Sequence, residues 1–415
     1  MSPGAAAVPV GPQPYGAGVQ LRYAYRLNPT PGQRRALARA FGCARVVFND
    51  AVAARRAARE AGAPYPSDAA LSKALTRAKR TPERAWLAEV SAVVLQQALA
   101  DANAAFRNFF ASVGGKRKGR KLGAPRFRSK RDRAQSIRFT KAARFKVTPA
   151  GRLRLPGVGD VSVRWSRELP GQASSVTVTV DATGRYHASF VVDMPDAPLP
   201  PVDREVGIDL GLVHFAVLSD GRKVDNPRHG RKAAARLARA QKELARRQKG
   251  SARRERSRRT VARAHARVAD TRRDWLHKLS TTIVRENQAV YVEDLAVSGL
   301  ARTRLARSVH DAGWSTFVQM LAYKARRAGR TFVRVDRWLP STRACSVCGV
   351  IGEAKALHVR EWTCPCGAVH DRDVNAARNI LAAGRADSPT LVELVSAGAP
   401  VPQPAVKREP AGSTA

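Results

Sequence analysis

Apolar and polar residues alternate over Leu21–Leu27 (LRYAYRL), the two-residue period of a strand with one buried face. The period then changes. Thr30-Pro31 reads as a cap followed by proline at a first helical position, and helical spacing continues, broken near Gly62–Pro66, to about Ser112. Leu87, Val90, Val94, Leu95, Leu99 and Phe106 form an apolar stripe at that spacing, which we read as core packing. Gly114–Arg133 is a Gly/Lys/Arg-rich loop. From Ser136 to Val192 the pattern is that of short strands with turns at Pro149-Ala150-Gly151 and Ala182-Thr183-Gly184; SVTVTV and ASFVVDM are the clearest. A proline-rich linker, Pro195–Pro201, follows.

The second half is organised differently. Val206–Leu210 and Phe215–Leu218 read as paired strands, with a turn at Ser219-Asp220-Gly221. Arg228–Arg273 is a polar, helical stretch broken near Gly250-Ser251. Leu276, Leu279 and Ile283 share a helical face, and Val290-Tyr291-Val292 is a short buried strand ending in Glu293. Phe317, Leu321 and Lys324 sit on another helix, followed by a strand at Phe332–Val335, a cysteine cluster and a short helix over Asn375–Ala383. Both ends, residues 1–19 and the Pro/Ala/Ser-rich tail 384–415, read as disordered or mobile. There is no internal repeat.

Charge narrows the classes. The 415 residues hold 74 Lys and Arg against 33 Asp and Glu, a net charge of +41. Such a surplus costs self-repulsion in a compact state, and a polyanion offsets it; nucleic acid is the obvious one. A GC-rich genome explains part of the bias of Arg over Lys but not the scarcity of acids. Arg228–Arg273 alone carries 18 Lys/Arg and 3 acids, so salt bridges within its helices cannot account for most of them. No apolar run approaches the roughly 20 residues that span a bilayer, and the N-terminus lacks a signal-peptide pattern. The expectation is a cytoplasmic protein with no membrane partner.

Against this basic background three acids stand out. Asp209 sits in an apolar strand (VGIDLG), Glu293 ends VYVED, and Asp373 opens a helix in DRDVNAARNI. A buried acid is costly unless it meets a cation. Acids from two strands and a helix can hold two divalent ions about 3.5–4 Å apart, the arrangement for phosphodiester hydrolysis; magnesium suits oxygen ligands of this kind. Any one acid at a strand end is more often a cap or salt bridge. Asp294 and Asp371 are neighbours that could be mistaken for ligands, and strand alternation lets only one of Glu293 and Asp294 face the ion.

The cysteines supply a second site. Cys43 stands alone and reads as a core thiol. Cys345-x-x-Cys348 and Cys364-Pro-Cys366 lie 15 residues apart, two thiolate pairs with the spacing of a closed, structural zinc site, each followed by a glycine, Gly349 or Gly367. The second pair has a single intervening residue, which narrows its bite and leaves His358 or His370 as a replacement ligand.

Together, FGCARVVFND, GAPRFRSKRD, VGIDLGLVHFAVLSDG, VYVEDLAVSGL, STRACSVCG and CPCGAVHDRDVNAARNIL resemble the TnpB (OrfB) family of insertion-sequence proteins, relatives of compact type V CRISPR effectors. The resemblance runs from about residue 20 to 383. It implies a multidomain α/β chain with a β-barrel: a RuvC, RNase H-like nuclease core (202–339 with 371–383), an inserted zinc ribbon (340–370), a wedge-like barrel (20–30 with 114–200) and a helical recognition insert (31–113). It puts the RuvC triad on Asp209, Glu293 and Asp373, with Mg2+, and zinc on Cys345, Cys348, Cys364 and Cys366. It implies a guide RNA and a target DNA cut beside a short motif. Two other readings are a catalytically silent RNA-guided regulator, expected to have lost triad acids, and a transposase that joins DNA ends itself; a purely structural zinc protein leaves the acids unexplained. Oligomeric state has no signature in the sequence.

Overall fold

The computed structural model describes residues 19–387 except Lys118, Arg133 and Leu357. The N-terminal stretch to residue 18 and the tail from residue 388 lie outside the described residues. The chain forms two compact units: residues 19–195 with 237–266, and residues 196–236 with 267–387.

The first unit opens with β1 (Val19–Asn28) and the 30-residue α1 (Pro31–Glu60). Thr30 and Gln33 form a reciprocal capping box at the start of α1, and Pro31 takes the first turn, where its missing N–H costs nothing. Next come α2 (Asp68–Ala78), a 3-10 stretch over Pro82–Glu89 and α3 (Ala92–Val113). Six strands follow the basic loop: β2 (Gln135–Thr140), β3 (Lys146–Val147), β4 (Arg152–Leu155), β5 (Gly159–Arg164), β6 (Ala173–Val180) and β7 (Tyr186–Met194). With β1 they make one curled antiparallel sheet in the order β2-β6-β7-β1-β5-β4-β3. The sheet curls in the way expected of the barrel, and among the described residues no ladder joins its edge strands β2 and β3. Helices and sheet share one core, in which Phe41, Val47, Leu95 and Leu99 cluster with Tyr25, Phe139 and Phe190. Cys43 lies in this core, where burial raises its thiol pKa.

The second unit is built on a five-stranded sheet. Its strands are β8 (Glu205–Asp209), β9 (His214–Leu218), β10 (Lys223–Asp225), β11 (Ala289–Glu293) and β12 (Thr331–Val335), in the order β10-β9-β8-β11-β12. The hairpins β8-β9-β10 are antiparallel; β8, β11 and β12 run parallel. Two basic helices, α4 (His229–Ala245) and α5 (Ala252–Glu286), separate β10 from β11, and they break at Gly250, whose φ of +89° only glycine adopts readily. The short α6 (Val297–Leu300) and α7 (Ala306–Ala312) lead to α8 (Trp314–Arg327). A small hairpin, β13 (Glu361–Thr363) with β14 (Val369–Asp371), precedes α9 (Arg372–Ala386).

Parallel strands are covered on both faces, and alternation sorts this sheet cleanly. Val206, Ile208, Val290 and Val292 pack with Ile283, Phe317 and Leu321 of α5 and α8. Ala289, Tyr291, Val333 and Val335 pack with Ile380 of α9. That second contact is very close. A side chain on Gly207 would collide with the Ala377 carbonyl at 2.1 Å, and one on Gly384 with the Tyr291 ring at 2.1 Å. Gly384–Ala386, which the sequence reading assigned to the tail, thus complete α9, because Gly384 is where the helix meets Tyr291.

Candidate active site and cysteine cluster

Parallel pairing of β8 with β11 sets Ala289 against Glu205 and Val292 against Ile208. One step further, Asp209 and Glu293 end adjacent strands at the same level. Both lie two residues beyond positions that face α9, Gly207 and Tyr291, so alternation turns both carboxyls toward that helix. Asp373, in the first turn of α9, comes from the same side. Carboxyl ends of neighbouring parallel strands, beneath a helix N-terminus, form the crevice where open α/β sheets bind ligands.

The electrostatics of the three acids differ. Burial pushes Asp209 well above the usual carboxylate range, and the charges of Glu293 and Asp373 push it further. Its contact with the Glu293 carboxyl adds to the rise. Burial also raises Glu293, against the lowering effect of the Leu210 amide, which donates to Oε1 at 3.4 Å, and of Asp209. Asp373 is ion-paired with Arg360 at 3.2 Å.

The neighbouring acids are occupied elsewhere. Asp294 pairs with Arg337, with Arg334 at 4.0 Å. Asp371 caps α9, accepting from the amides of Asp373 and Val374 at 3.1 and 3.0 Å, and Lys223 reaches it from β10 at 2.6 Å. Burial alone would raise Asp371; Lys223 and the two amides outweigh it and hold the carboxyl low.

All four sulfurs of Cys345, Cys348, Cys364 and Cys366 lie within 4.8 Å of one another. Among the described residues this is the one group of three or more ligand side chains gathered so tightly; Asp209, Glu293 and Asp373 together are spread more widely. The Cys345–Cys366 and Cys348–Cys364 separations are 3.8 and 3.6 Å. A tetrahedral site with Zn–S near 2.3 Å sets its sulfurs about 3.8 Å apart, so the cluster is compatible with structural zinc, and the short Cys-Pro-Cys bite is accommodated. Gly349 and Gly367 turn beneath the sulfurs at φ +76° and +87°. His370 lies buried against the cluster, its Nε2 3.0 Å from Cys345 Sγ, while His358 is exposed. Two clamps tie this segment to α9: Asn375 and Asn379 both donate to the carbonyls of Ser341 and Ala344.

Arg360, Lys223, Gly207, Gly384, Asn375 and Asn379 escaped the sequence reading. A glycine inside an apolar strand, as at Gly207, is the one available signal, since it marks close approach of another backbone. The ion pairs join residues far apart in the chain, and no local pattern announces them.

Three family profiles match the chain: "Probable transposase" of the OrfB IS605 type over residues 189–304, "Cas12f1-like, TNB domain" over 314–380, and "Helix-turn-helix domain" over 19–63. The last stretch folds here as β1 and the single long helix α1. A protein of Streptomyces pristinaespiralis named "Putative RNA-guided DNA endonuclease" is 44% identical over 374 residues, 89% of this chain and 90% of its own. The InsQ protein of Escherichia coli K12, of the same name, is 31% identical over 400 residues, 92% of this chain and 96% of its own. Among solved structures, Cas12f1 bound to guide RNA and target DNA superposes with a TM-score of 0.51 at 13% identity, covering 84% of this chain and 82% of that one. The mini-RNA-guided endonuclease Cas-phi3 gives 0.51 at 8% identity, covering 91% and 94%. At these identities the two structures speak for the fold alone; the sequence relatives establish that the chain belongs to the TnpB (OrfB) family.

Proposed function

We propose that this chain is an RNA-guided DNA endonuclease in which Asp209, Glu293 and Asp373 are the catalytic acids. The observation that carries the reading is the placement of Asp209 and Glu293 at the same level on adjacent parallel strand ends, under the helix that bears Asp373. The family relatives, named for this activity, support it. In this reading the second unit is a RuvC, RNase H-like core with a zinc ribbon over 340–370, and the first unit is a wedge with its helical insert. A guide RNA selects the target by base pairing, and the protein reads a short adjacent motif. All three acids are present, which disfavours the silent regulator.

The chemistry follows from the charges. Two buried carboxyls that can share one proton are poised to exchange it for a divalent cation, and hard oxygen donors suit Mg2+. When bound, such ions supply a water of lowered pKa and Lewis acidity at the phosphate. Asp209 and Glu293 then hold their carboxylates toward the reacting phosphate, fixed by the two strands. Asp373 completes the donor set when it turns from Arg360. The freed guanidinium would offer a planar fork matched to phosphate oxygens. Cys345, Cys348, Cys364 and Cys366 hold zinc and so fix the segment that carries Arg360.

The test is cleavage of a matching target by protein purified with its co-expressed RNA in Mg2+. Asp209→Ala should lower the rate on the order of a thousandfold or more with RNA binding retained. Intact target with the wild-type complex over a broad range of conditions would sink the reading.

A further inference from the structure

The β12–cysteine loop holds a tryptophan that nothing above uses. Trp338 is 83% exposed, more than any other large apolar side chain among the described residues. Single exposed apolar residues are ordinary, but the setting of this one is not. Val335 pairs with Glu293 at the end of β12, and Trp338 follows three residues later. Three residues reach about 10 Å at most, so the Trp338 backbone lies within that distance of the strand ends that carry the acids.

Its backbone is pinned on both sides. The Trp338 amide donates to Asp336 Oδ1 at 3.0 Å, and the Leu339 amide to the Asp336 carbonyl at 3.2 Å. Before it, Arg337 is ion-paired with Asp294; after it, Leu339 packs on the core under α9 and Ser341 is held by Asn379 at 2.7 Å. A rigid loop thus presents a bare aromatic face to water. Arg334 and Arg337 precede it in the chain, both paired with Asp294 and with half-exposed side chains. An exposed aromatic face near a basic, phosphodiester-cutting site fits the π-face of an unpaired base, since base–aromatic stacking holds single strands without sequence preference.

We propose that Trp338 is a stacking platform for a base of the single DNA strand being cut, close to the scissile phosphate. This deepens the nuclease reading and rests on it. The indole takes one base face, the two arginines steer the backbone, and the pinned loop keeps the platform at a set distance from Glu293. Sequence tolerance follows, because every base offers a π-face.

Two measurements decide it. Asp209→Ala protein with its co-purified RNA is irradiated with an oligodeoxythymidylate carrying one 5-iododeoxyuridine, and adducts are mapped by mass spectrometry. The adduct is expected on Trp338, suppressed by unmodified oligonucleotide and absent in Asp209→Ala/Trp338→Ala. In cleavage-competent protein, Trp338→Ala should raise KM for target DNA roughly tenfold, with RNA occupancy unchanged, and Trp338→Phe should recover most of the loss. Adducts elsewhere, together with a wild-type KM for Trp338→Ala, would overturn the proposal while cleavage upholds the acids. An adduct on Trp338 in a complex whose wild-type form cuts nothing would instead remove the nuclease reading and leave single-strand stacking in place.

Discussion

The cysteine cluster and the acid cluster sit in one unit yet are built on opposite plans. The four sulfurs lie within 4.8 Å, at tetrahedral separations, with glycine turns beneath them and His370 behind. The three acids come from two strands and a helix, are less tightly gathered, and are divided: burial raises the pKa values of two, and the third pairs with Arg360. Thiols can crowd while neutral and lose their protons when metal binds. Carboxylates at pH 7 cannot crowd without a cation, so burial and mutual repulsion raise their pKa values instead. A closed site serves structure; a site that must admit phosphate stays under-satisfied until it is filled.

The largest effect expected from this contrast is at the closed site. Cys364→Ser should abolish stoichiometric metal in the purified protein, measured by elemental analysis. The loss should cost several kcal/mol of stability and be mirrored by strong chelators on the wild type. Metal-free protein with an unchanged melting curve would refute a structural role for the cluster.

The second expected effect concerns how α9 is seated. Gly384→Val puts a side chain into the Tyr291 ring, since its Cβ alone would lie 2.1 Å from a ring carbon. The overpacking should cost about 3 kcal/mol, read as a lower urea midpoint, and should impair cleavage by displacing Asp373. Unchanged stability would mean that α9 does not depend on that contact.

These two sites also mark what the sequence could and could not tell. Strands and helices were legible wherever one period ruled, as at Leu21–Leu27 or Val290–Val292. The acids and cysteines were legible because their chemistry is costly or rare at such positions. The register that sets Asp209 level with Glu293 was not legible, since it arises from a pairing across 84 residues of chain. Nor was the partnership of Asp373 with Arg360, which the cysteine segment brings together in space. The expected barrel has its counterpart in the curled seven-stranded sheet, whose order no local pattern announces. The helix runs past Ala383 to Ala386, and Gly384 lets it touch Tyr291 there, a contact that no local pattern announces.

A smaller effect sharpens the acid side. Asp209→Asn keeps a donor for Glu293 and removes one of two crowded carboxyls. Metal-free variant should therefore be more stable than wild type at pH 7 by about 1 kcal/mol, while Mg2+ should raise the melting temperature of wild type only. A variant no more stable than wild type would mean that the acids are not under strain without metal.

The smallest effect is a control for that argument. Lys324, on α8, is a half-buried ammonium that no metal is expected to relieve. It donates to Ser280 Oγ and Thr281 Oγ1 at 2.7 Å and to the His277 carbonyl at 2.6 Å. Burial, with Arg285 nearby, lowers its pKa from 10.5 to about 8. Between those two values the unfolded chain binds more protons than the folded one, so this group makes stability rise with pH from about 8 to 10.5. Below that window the lysine is charged in both states and its burial penalty is constant. Lys324→Met should flatten the rise, and Ser280 and Thr281 keep their own bonds to the carbonyls of Leu276 and His277 at 2.7 and 2.8 Å. The shift in melting temperature should be only ~1–2 °C and the same with or without Mg2+. A magnesium-sensitive shift at Lys324 would show that metal acts on the whole unit and not on the acids, and the contrast between the two clusters would lose its meaning.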